Sequence, residues 1–139
     1  MFYAVKGKGA FLNGRSLNVS KTPKLANSLI VTGFPYDLDK RSEKILGLFD
    51  KMTTASQGIR RLGSAALDLC YIAAGRFDGY WEFGLKPWDT AAGVLIVTEA
   101  GGKVTTLDGG PFHFMDSGEI LASNSKIHKG MQKTLLIKQ

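Results

Sequence analysis

The stretch PWDTAAGVLIVTEAGG, residues 87–102, decides the fold because it carries the clearest helix signals in the chain. A proline suits the first turn of a helix, since the N–H that it lacks has no partner inside the helix there. The glycine pair at the end of the stretch is typical of a helix end. The stretch predicts a helix over residues 87–100, and its almost purely apolar run predicts burial on most sides.

Asp89 stands at the start of this predicted helix, directly before the apolar run. Acids are favoured in a first turn because unpaired backbone N–H groups and the helix dipole stabilise negative charge there. The same helix end can instead hold a carboxylate-bound Mg²⁺ beside a phosphate, since anions bind well at helix N-termini. The residues alone leave both interpretations open, and the structural one is sufficient by itself.

Strand and helix patterns alternate on both sides of this stretch. Ser64 can cap a second helix, and Gly75 suits the left-handed residue just past its end. Strands are predicted at 29–32, 59–62, 77–83, 103–107 and 120–122, and further helices at 40–52, between Ser64 and Gly75, and at 125–137. This alternation predicts an α/β fold with a mixed, mostly parallel sheet and helices on both faces.

The beginning of the chain follows a different pattern. Asn13-Gly14 is a strong short signal for a β-hairpin because both residues tolerate positive φ, and strand-like segments flank it. We therefore expect a short antiparallel hairpin within residues 1–20, ahead of an α/β layer over residues 21–139. The 139 residues suffice for one domain, so we expect a single domain over the whole chain.

The composition is that of a globular protein and argues against two classes of partner. The formal net charge is +6, but the basic residues are scattered, so no nucleic-acid partner is predicted. No apolar run approaches the roughly eighteen residues of a membrane helix, so no membrane partner is expected. The N-terminus lacks the pattern of a secretory signal, and the single Cys70 lies in an apolar stretch. These features predict a cytoplasmic protein with an inert, buried thiol.

Several segments together resemble the inositol monophosphatase family. WDTAAGVLIVTEAGG is similar to the C-terminal signature of that family, which joins Trp-Asp, small residues, an apolar run and Glu-Ala-Gly-Gly. FYAVKGKGAFLNGR, RRLGSAALDLCYIAAGRFDGYWE and GGPFHFMDSGEILASN resemble successive family segments. The resemblance covers essentially the whole chain, but only the latter half of a typical member. It implies part of a layered α-β-α-β-α phosphatase fold.

The resemblance also implies site residues and a chemistry. Asp89 corresponds to a metal ligand of the family, and Glu82 to an acid that contacts substrate hydroxyls. Gly63, Ser64 and Ala65 correspond to a segment that lines the same pocket through its backbone. For Glu82 the residues alone also allow a solvent-facing strand acid. The implied activity is Mg²⁺-dependent hydrolysis of an inositol or sugar phosphate monoester, in which the metal activates water and stabilises phosphate charge.

One family segment, Asp-Pro-x-Asp-Gly-Thr, has no counterpart in this chain. Asp78-Gly79, Asp108-Gly109 and Asp37-Leu-Asp39 do not fit it. Because Mg²⁺ is usually held by more than one carboxylate where several ions bind, Asp89 alone should bind it weakly. We therefore expect a half-site without a catalytic residue of its own, and doubtful activity of this chain alone. The chain would be a fragment, a truncated product, or one half of a split enzyme.

Two partner types and two rival functions follow from this expectation. Without the other half, the first strands would expose an edge and an apolar face, so a homodimer, a higher oligomer or a chain that supplies the N-terminal half is predicted. The small-molecule partner would be a phosphorylated polyol or sugar. One rival function is a truncated, non-catalytic binding module, and the other, supported only by charge, is a nucleic-acid binder.

Three further polar residues receive ordinary structural interpretations. Asp68, the single charge in its helix, is expected to face solvent or to support the first turn. His113 and His128 share no metal-ligand spacing with other residues, and both are expected on the surface.

Overall fold

Four helices and two sheets account for the described residues of the computed structural model, which are 1–113, 115 and 118–136. A short 3₁₀ turn, Leu25–Asn27, precedes the larger sheet. The helices are α1 (Leu38–Ala55), α2 (Ala65–Ala73), α3 (Pro87–Glu99) and α4 (His128–Leu135). The strands are β1 (Phe2–Val5), β2 (Gly9–Leu12), β3 (Arg15–Ser16), β4 (Leu29–Thr32), β5 (Gly58–Arg60), β6 (Gly79–Phe83), β7 (Lys103–Thr105) and β8 (Glu119–Ser123).

The larger sheet has the strand order β5-β4-β6-β8-β7 within the described part of the chain. β4 pairs in parallel with β5 and β6, whereas β8 pairs antiparallel with β6 and β7. The predicted α/β fold with a mixed sheet is confirmed. Four of these five strands, all except β8, therefore run in the same direction, so the sheet is mostly parallel, as predicted.

Helices cover both faces of this sheet, as predicted. Side chains alternate along each strand, so neighbouring residues enter different cores. Tyr80 of β6 belongs to a cluster with α2 and α3, and Trp81 belongs to a cluster with α1 and α4. Both side chains are fully buried. This two-sided cover explains why every residue of β6 is buried.

The first three strands form a separate antiparallel sheet around the predicted turn. Asn13 (φ 50°) and Gly14 (φ 81°) both adopt the left-handed conformation that a tight hairpin requires. β1 and β2 pack against α3. Glu99, the last residue of α3, accepts hydrogen bonds from the backbone N–H groups of Gly7 (2.8 Å) and Gly9 (2.9 Å). The hairpin is thereby fastened to the end of α3.

The burial expected for α3 is only partly correct. The helix buries Thr90, Gly93, Ile96 and Val97 against α2, the sheet and the hairpin. Ala91 is exposed, and so is the following alanine. The sequence did not indicate this exposed side because alanine, although apolar, favours the helix on exposed faces as well as buried ones.

The ends of the other helices follow local backbone chemistry. Ser64 accepts a hydrogen bond from the N–H of Leu67 (3.4 Å), and Gly75 has φ 67°, so both predicted ends of α2 are confirmed. α4 begins three residues later than expected, and Ser125 (φ 70°) has a left-handed backbone that a helix does not continue. Position 137, the last of the range predicted for this helix, lies outside the described residues.

Within the described residues, no helix combines the length and the apolar character that spanning a membrane requires.

Candidate active site

A pocket opens at the carboxyl ends of three parallel strands. β4, β5 and β6 run in the same direction, so the segments that follow them meet at one edge of the sheet. Ligands of α/β proteins bind in such a crevice. The pocket has a volume of about 300 Å³. It is lined by Gly33, Phe34, Pro35, Tyr36, Arg61, Gly63, Ser64, Ala65, Ala66, Glu82, Phe83, Gly84, Leu85, Trp88 and Asp89.

All five site residues predicted from the sequence line this one pocket. Gly63, Ser64 and Ala65 form its wall after β5, Glu82 lies near the end of β6, and Asp89 lies in the first turn of α3. These residues are up to 26 positions apart in the chain, so the fold brings them together. Their chemical roles stay predictions.

Asp89 makes a helix-start contact and also lines the pocket, and its role as a metal ligand stays a prediction. Its Oδ2 accepts a hydrogen bond from the N–H of Lys86 (2.8 Å), which is a helix-start contact. Within the described residues its second oxygen makes no hydrogen bond, and the residue lines the pocket. Asp89 therefore supports its own helix with one oxygen, and no described residue engages the other.

Glu82 is a buried acid rather than a solvent-facing one. It is 9% exposed, and its Oε2 accepts a hydrogen bond from the hydroxyl of Tyr80 (2.6 Å). Burial raises the pKa of Glu82 above its usual value, and the negative charge of Asp89 adds to this increase. The Tyr80 hydrogen bond and the positive charge of Arg61 act in the opposite direction. The hydrogen bond to Tyr80 fixes one carboxylate oxygen and so orients the group.

Gly33 is a pocket residue that the sequence did not single out. A Cβ built at this position would collide with both carboxylate oxygens of Glu82. Only a residue without a side chain lets the backbone after β4 pass so close to that acid. A glycine directly after a buried strand is the signal that would have indicated a close approach at this position.

Two helices begin at the pocket. Ser64 caps α2 and Asp89 lies in the first turn of α3, so the positive ends of both helix dipoles lie beside the lining. Gly63 has φ +91°, a conformation that turns the chain from β5 into α2. Backbone N–H groups at helix starts favour anions. In the pocket, the two acidic side chains of Glu82 and Asp89 thus lie beside the positive N-terminal ends of two helices.

Asp68 lies in the first turn of α2, as one of its two interpretations required, but it does not face solvent, so the other interpretation is wrong. The residue is fully buried, and within the described residues both of its carboxylate oxygens lack a hydrogen-bond partner. Burial raises the pKa of Asp68 to about 7, and the charge of Glu82 contributes to the increase. Helical spacing places Asp68 on the same stripe as Ile72, and this apolar stripe could have indicated its burial.

His128 is likewise buried, contrary to expectation, and His113 is exposed as expected. The two ring nitrogens of His128 lie 2.8 Å from the hydroxyl oxygens of Thr105 and Ser123. Burial and the charge of Lys103 lower the pKa of His128 to about 4. Cys70 is buried, as expected, and burial raises the pKa of its thiol.

The pocket fits a divalent metal only in part. Mg²⁺ prefers carboxylate and water oxygens, and Asp89 offers one oxygen that no other described residue engages. No group of three or more His, Cys, Asp or Glu residues in the described ranges could hold a metal ion. Among the described residues that line the pocket, Asp89 is therefore the one whose free carboxylate oxygen suits such a metal.

The fold and the pocket define an α/β protein with an acidic site at its strand ends, and comparisons with known proteins place it in a family. The model of the inositol monophosphatase family matches residues 1–138. The chain is 48% identical over 135 residues to the inositol-1-monophosphatase of Synechocystis sp. and 45% identical over 136 residues to the Nus factor SuhB of Pseudomonas aeruginosa. The chain belongs to the inositol monophosphatase family.

Structural similarity agrees with this assignment. The fold matches the structure of an inositol monophosphatase from Anabaena (Nostoc) sp. with a TM-score of 0.93 and 47% identity. The match covers 96% of this chain and 53% of that one. The Synechocystis alignment covers 97% of this chain and 47% of the relative, and the Pseudomonas alignment covers 96% and 50%. The chain thus spans about half the length of these relatives.

Proposed function

We propose that this chain contributes the substrate pocket and one metal ligand to a Mg²⁺-dependent hydrolase of inositol or sugar phosphate monoesters. The observation that carries the proposal is the pocket itself, in which Glu82 and Asp89 lie beside the starts of two helices. Membership of the inositol monophosphatase family and the name of the Synechocystis relative support the same chemistry.

Glu82 would bind the alcohol part of the substrate. A carboxylate accepts hydrogen bonds, and polyol hydroxyls donate them. The Tyr80 hydroxyl engages Oε2, so Oε1 is the atom we assign to a substrate hydroxyl. Gly63 and Ala65 have small side chains or none, which allows a ring to approach the backbone closely. Trp88, 79% exposed, and the exposed Tyr36 add aromatic surface beside the pocket.

Asp89 would bind the metal through the oxygen that Lys86 does not engage. When bound, Mg²⁺ supplies charge stabilisation for the phosphate and activates water. The positive end of the α3 dipole would favour the phosphate beside Asp89. No residue of this chain is assigned to proton transfer, so we infer that the missing carboxylates and the water-activating group come from another polypeptide segment.

Because the remaining carboxylates would come from another segment, we expect this chain to associate with a protein partner. We propose that residues 1–139 act as one unit that associates with a second copy or with a chain carrying the remaining acids. We place this assembly in the cytoplasm. The first sheet ends in β3, a strand of two residues, and its exposed side chains include Val5 (48% exposed) and Met1 (80% exposed). Apolar surface beside an open strand edge favours association.

The decisive experiment compares two preparations. Phosphate release from inositol 1-phosphate is measured with Mg²⁺, first with the purified chain and then with the chain mixed with a polypeptide covering the first half of the Synechocystis relative. We expect activity only in the mixture. Asp108→Asn, which changes an exposed acid outside the pocket, is the matched control and should leave that activity unchanged.

Three other outcomes of this experiment would change or overturn the proposed function. Rapid turnover by the purified chain alone would show that the site is complete without a second segment. Ester binding without turnover in either preparation would favour the non-catalytic binding module. If the ester neither binds nor reacts in either preparation, the proposed function is wrong.

A further inference from the structure

Arg61 is a cationic pocket residue to which the chemistry described above assigns no task. It follows β5 directly, lines the pocket and is exposed. Its guanidinium carbon lies 5.1 Å from the centroid of the Phe34 ring, which also lines the pocket. Arginine stacks on aromatic faces in this way, and the contact holds the planar group in a defined orientation.

No acidic side chain in the described ranges forms an ion pair with Arg61. The ion pair found there joins Arg41 to Asp37 on α1. The charge of Arg61 nevertheless reaches the site, because it opposes the effect of burial on the pKa of Glu82. Arg61 therefore acts on the end of the pocket where Glu82 would bind the alcohol part of a substrate.

A fixed guanidinium at that end suits a particular kind of substrate. Guanidinium donates five N–H bonds, accepts none, and binds the planar or forked oxygens of carboxylates and phosphates with two parallel hydrogen bonds. A neutral polyol needs no permanent cation, and Glu82 already provides an acceptor for its hydroxyls. An anionic substituent on the alcohol part would satisfy both side chains, with hydroxyls at Glu82 and the anion at Arg61.

We propose that Arg61 is a specificity-determining residue that binds a second anionic group, phosphate or carboxylate, on the alcohol part of the substrate. The pocket would then prefer polyol or sugar esters with two anionic groups over simple monophosphates. This inference rests on the proposed function, because it assumes that the reacting phosphate lies near Asp89.

The chain offers a matched control for this arginine. Arg60 is the preceding residue and is also exposed, but its Nη1 donates a hydrogen bond to the carbonyl oxygen of Ile59 (3.0 Å), and it does not line the pocket. Arg61→Gln and Arg60→Gln change the net charge equally and at neighbouring positions. A difference between them therefore reports on the pocket and not on the overall field of the protein.

The test measures binding by calorimetry with Mg²⁺, using the full chain and two ligands, inositol 1-phosphate and inositol 1,4-bisphosphate. For the unsubstituted chain we expect about tenfold tighter binding of the bisphosphate, the gain expected for one bidentate charged contact. Arg61→Gln should reduce the ratio of the two affinities to about one, and Arg60→Gln should retain it. A carboxylate in place of the second phosphate distinguishes the two anion types.

The outcomes separate this inference from the proposed function. If the chain binds the monophosphate but shows no preference for the bisphosphate, only the assignment of Arg61 fails. The same follows if Arg61→Gln keeps the full preference, or if Arg60→Gln removes it equally. If neither ester binds to the chain or to its mixture with the first half of the Synechocystis relative, both proposals fail. Unfolding curves of the two variants, which should coincide because both arginines are exposed, confirm that folding is not the cause.

Discussion

The two ends of α3 carry chemically similar acids in very different situations. At the first turn, Asp89 uses one oxygen to accept from Lys86 N–H and lines the pocket. At the last turn, Glu99 uses both oxygens to accept from the N–H groups of Gly7 and Gly9. The first carboxylate has one oxygen that no described residue engages. The second is occupied entirely in joining the hairpin to the helix.

One helix therefore contributes a pocket residue at its start and a contact that holds the hairpin at its end. The stretch that resembles the family signature begins with the acid of the pocket and ends with the acid of the hairpin. A carboxylate oxygen that no protein donor engages has the most acceptor capacity left for a ligand. Counting the occupied oxygens therefore separates the two acids, whereas residue type does not.

Removing the charge at the pocket end should have the largest effect. Asp89→Asn keeps an oxygen that can accept from Lys86 N–H, but it removes the anionic ligand. In the complete assembly we expect the rate of ester hydrolysis to fall about a thousandfold, roughly 4 kcal/mol in activation free energy. Unfolding by urea should be nearly unchanged. Unchanged kinetics at saturating Mg²⁺ would remove Asp89 from the site.

Asp68, whose pKa is raised in part by the charge of the pocket residue Glu82, should show the next largest effect, in stability. Its pKa is raised from 3.8 to about 7, so between these pH values the folded state holds a proton that the unfolded chain has lost. The contribution of Asp68 to stability should therefore fall as pH rises through this window, by about 1.4 kcal/mol per pH unit. His128, whose pKa is lowered to about 4, contributes in the opposite direction, but it does so equally in the unsubstituted chain and in the variant. Asp68→Asn, which does not titrate, should therefore change the slope of stability against pH in urea unfolding by about 1.4 kcal/mol per pH unit between pH 4 and 7. An identical slope in both proteins would contradict the assignment.

A substitution midway along α3 should weaken both ends together. A Cβ at Gly93 would lie 2.6 Å from Cδ1 of Leu69, so Gly93→Ala forces α2 and α3 apart. We expect a loss of about 1–3 kcal/mol in unfolding free energy. The control is Gly47→Ala in α1, where a Cβ meets nothing within 4 Å and where alanine should stabilise the helix by up to about 1 kcal/mol. Equal effects of the two substitutions would contradict the close packing.

Features set by local sequence were predictable at both ends of α3. The proline start and glycine stop located the helix to within one residue, and Asn13-Gly14 located the hairpin. The resemblance to a family indicated which residues would line the pocket, although their spacing in the chain did not. These features depend on residues close together in sequence or on a long specific match.

Features set by tertiary burial were not predictable from isolated residues. Asp68 and His128 are polar, and in a sequence nothing but the periodicity of their neighbours indicates that other elements will cover them. The contact of Gly33 with Glu82 joins positions 49 residues apart, and no local pattern links the two. Burial and close approach arise when elements pack, so they became visible only in the fold.

Gly33→Ala should affect the pocket and not the hairpin contact at the other end of α3. The added methyl group would displace the carboxylate of Glu82, which the Tyr80 hydroxyl otherwise holds in place. We expect inositol 1-phosphate to bind about tenfold more weakly, the loss of one charge-assisted hydrogen bond. Calorimetry measures this change. Gly58→Ala, in neighbouring β5 and with only ordinary contacts, is the control, and equally weak binding in that variant would point to a general effect on the sheet.

Glu99→Gln should produce the smallest and most local effect, at the opposite end of α3. Glu99 presents one oxygen to each amide, whereas glutamine would present an oxygen to one amide and an NH₂ donor to the other, and it carries no charge. We expect faster hydrogen exchange, relative to intrinsic rates, at these two amides in NMR spectra. Binding of inositol 1-phosphate should be unchanged. Glu43→Gln on α1, an exposed acid far along the chain from the hairpin, is the control.

The same contact should also depend on pH in a defined direction. Hydrogen bonds from the amides of Gly7 and Gly9 lower the pKa of Glu99 below its ordinary 4.5. A lowered folded-state pKa means that the fastening is fully present above pH 4.5 and is lost as the pH falls through the lower value. The amide shifts of Gly7 and Gly9 should therefore titrate in the unsubstituted chain and not in Glu99→Gln. Titration of both amides in the variant would show that another acid holds the hairpin, and the contrast between the two ends of α3 would no longer hold.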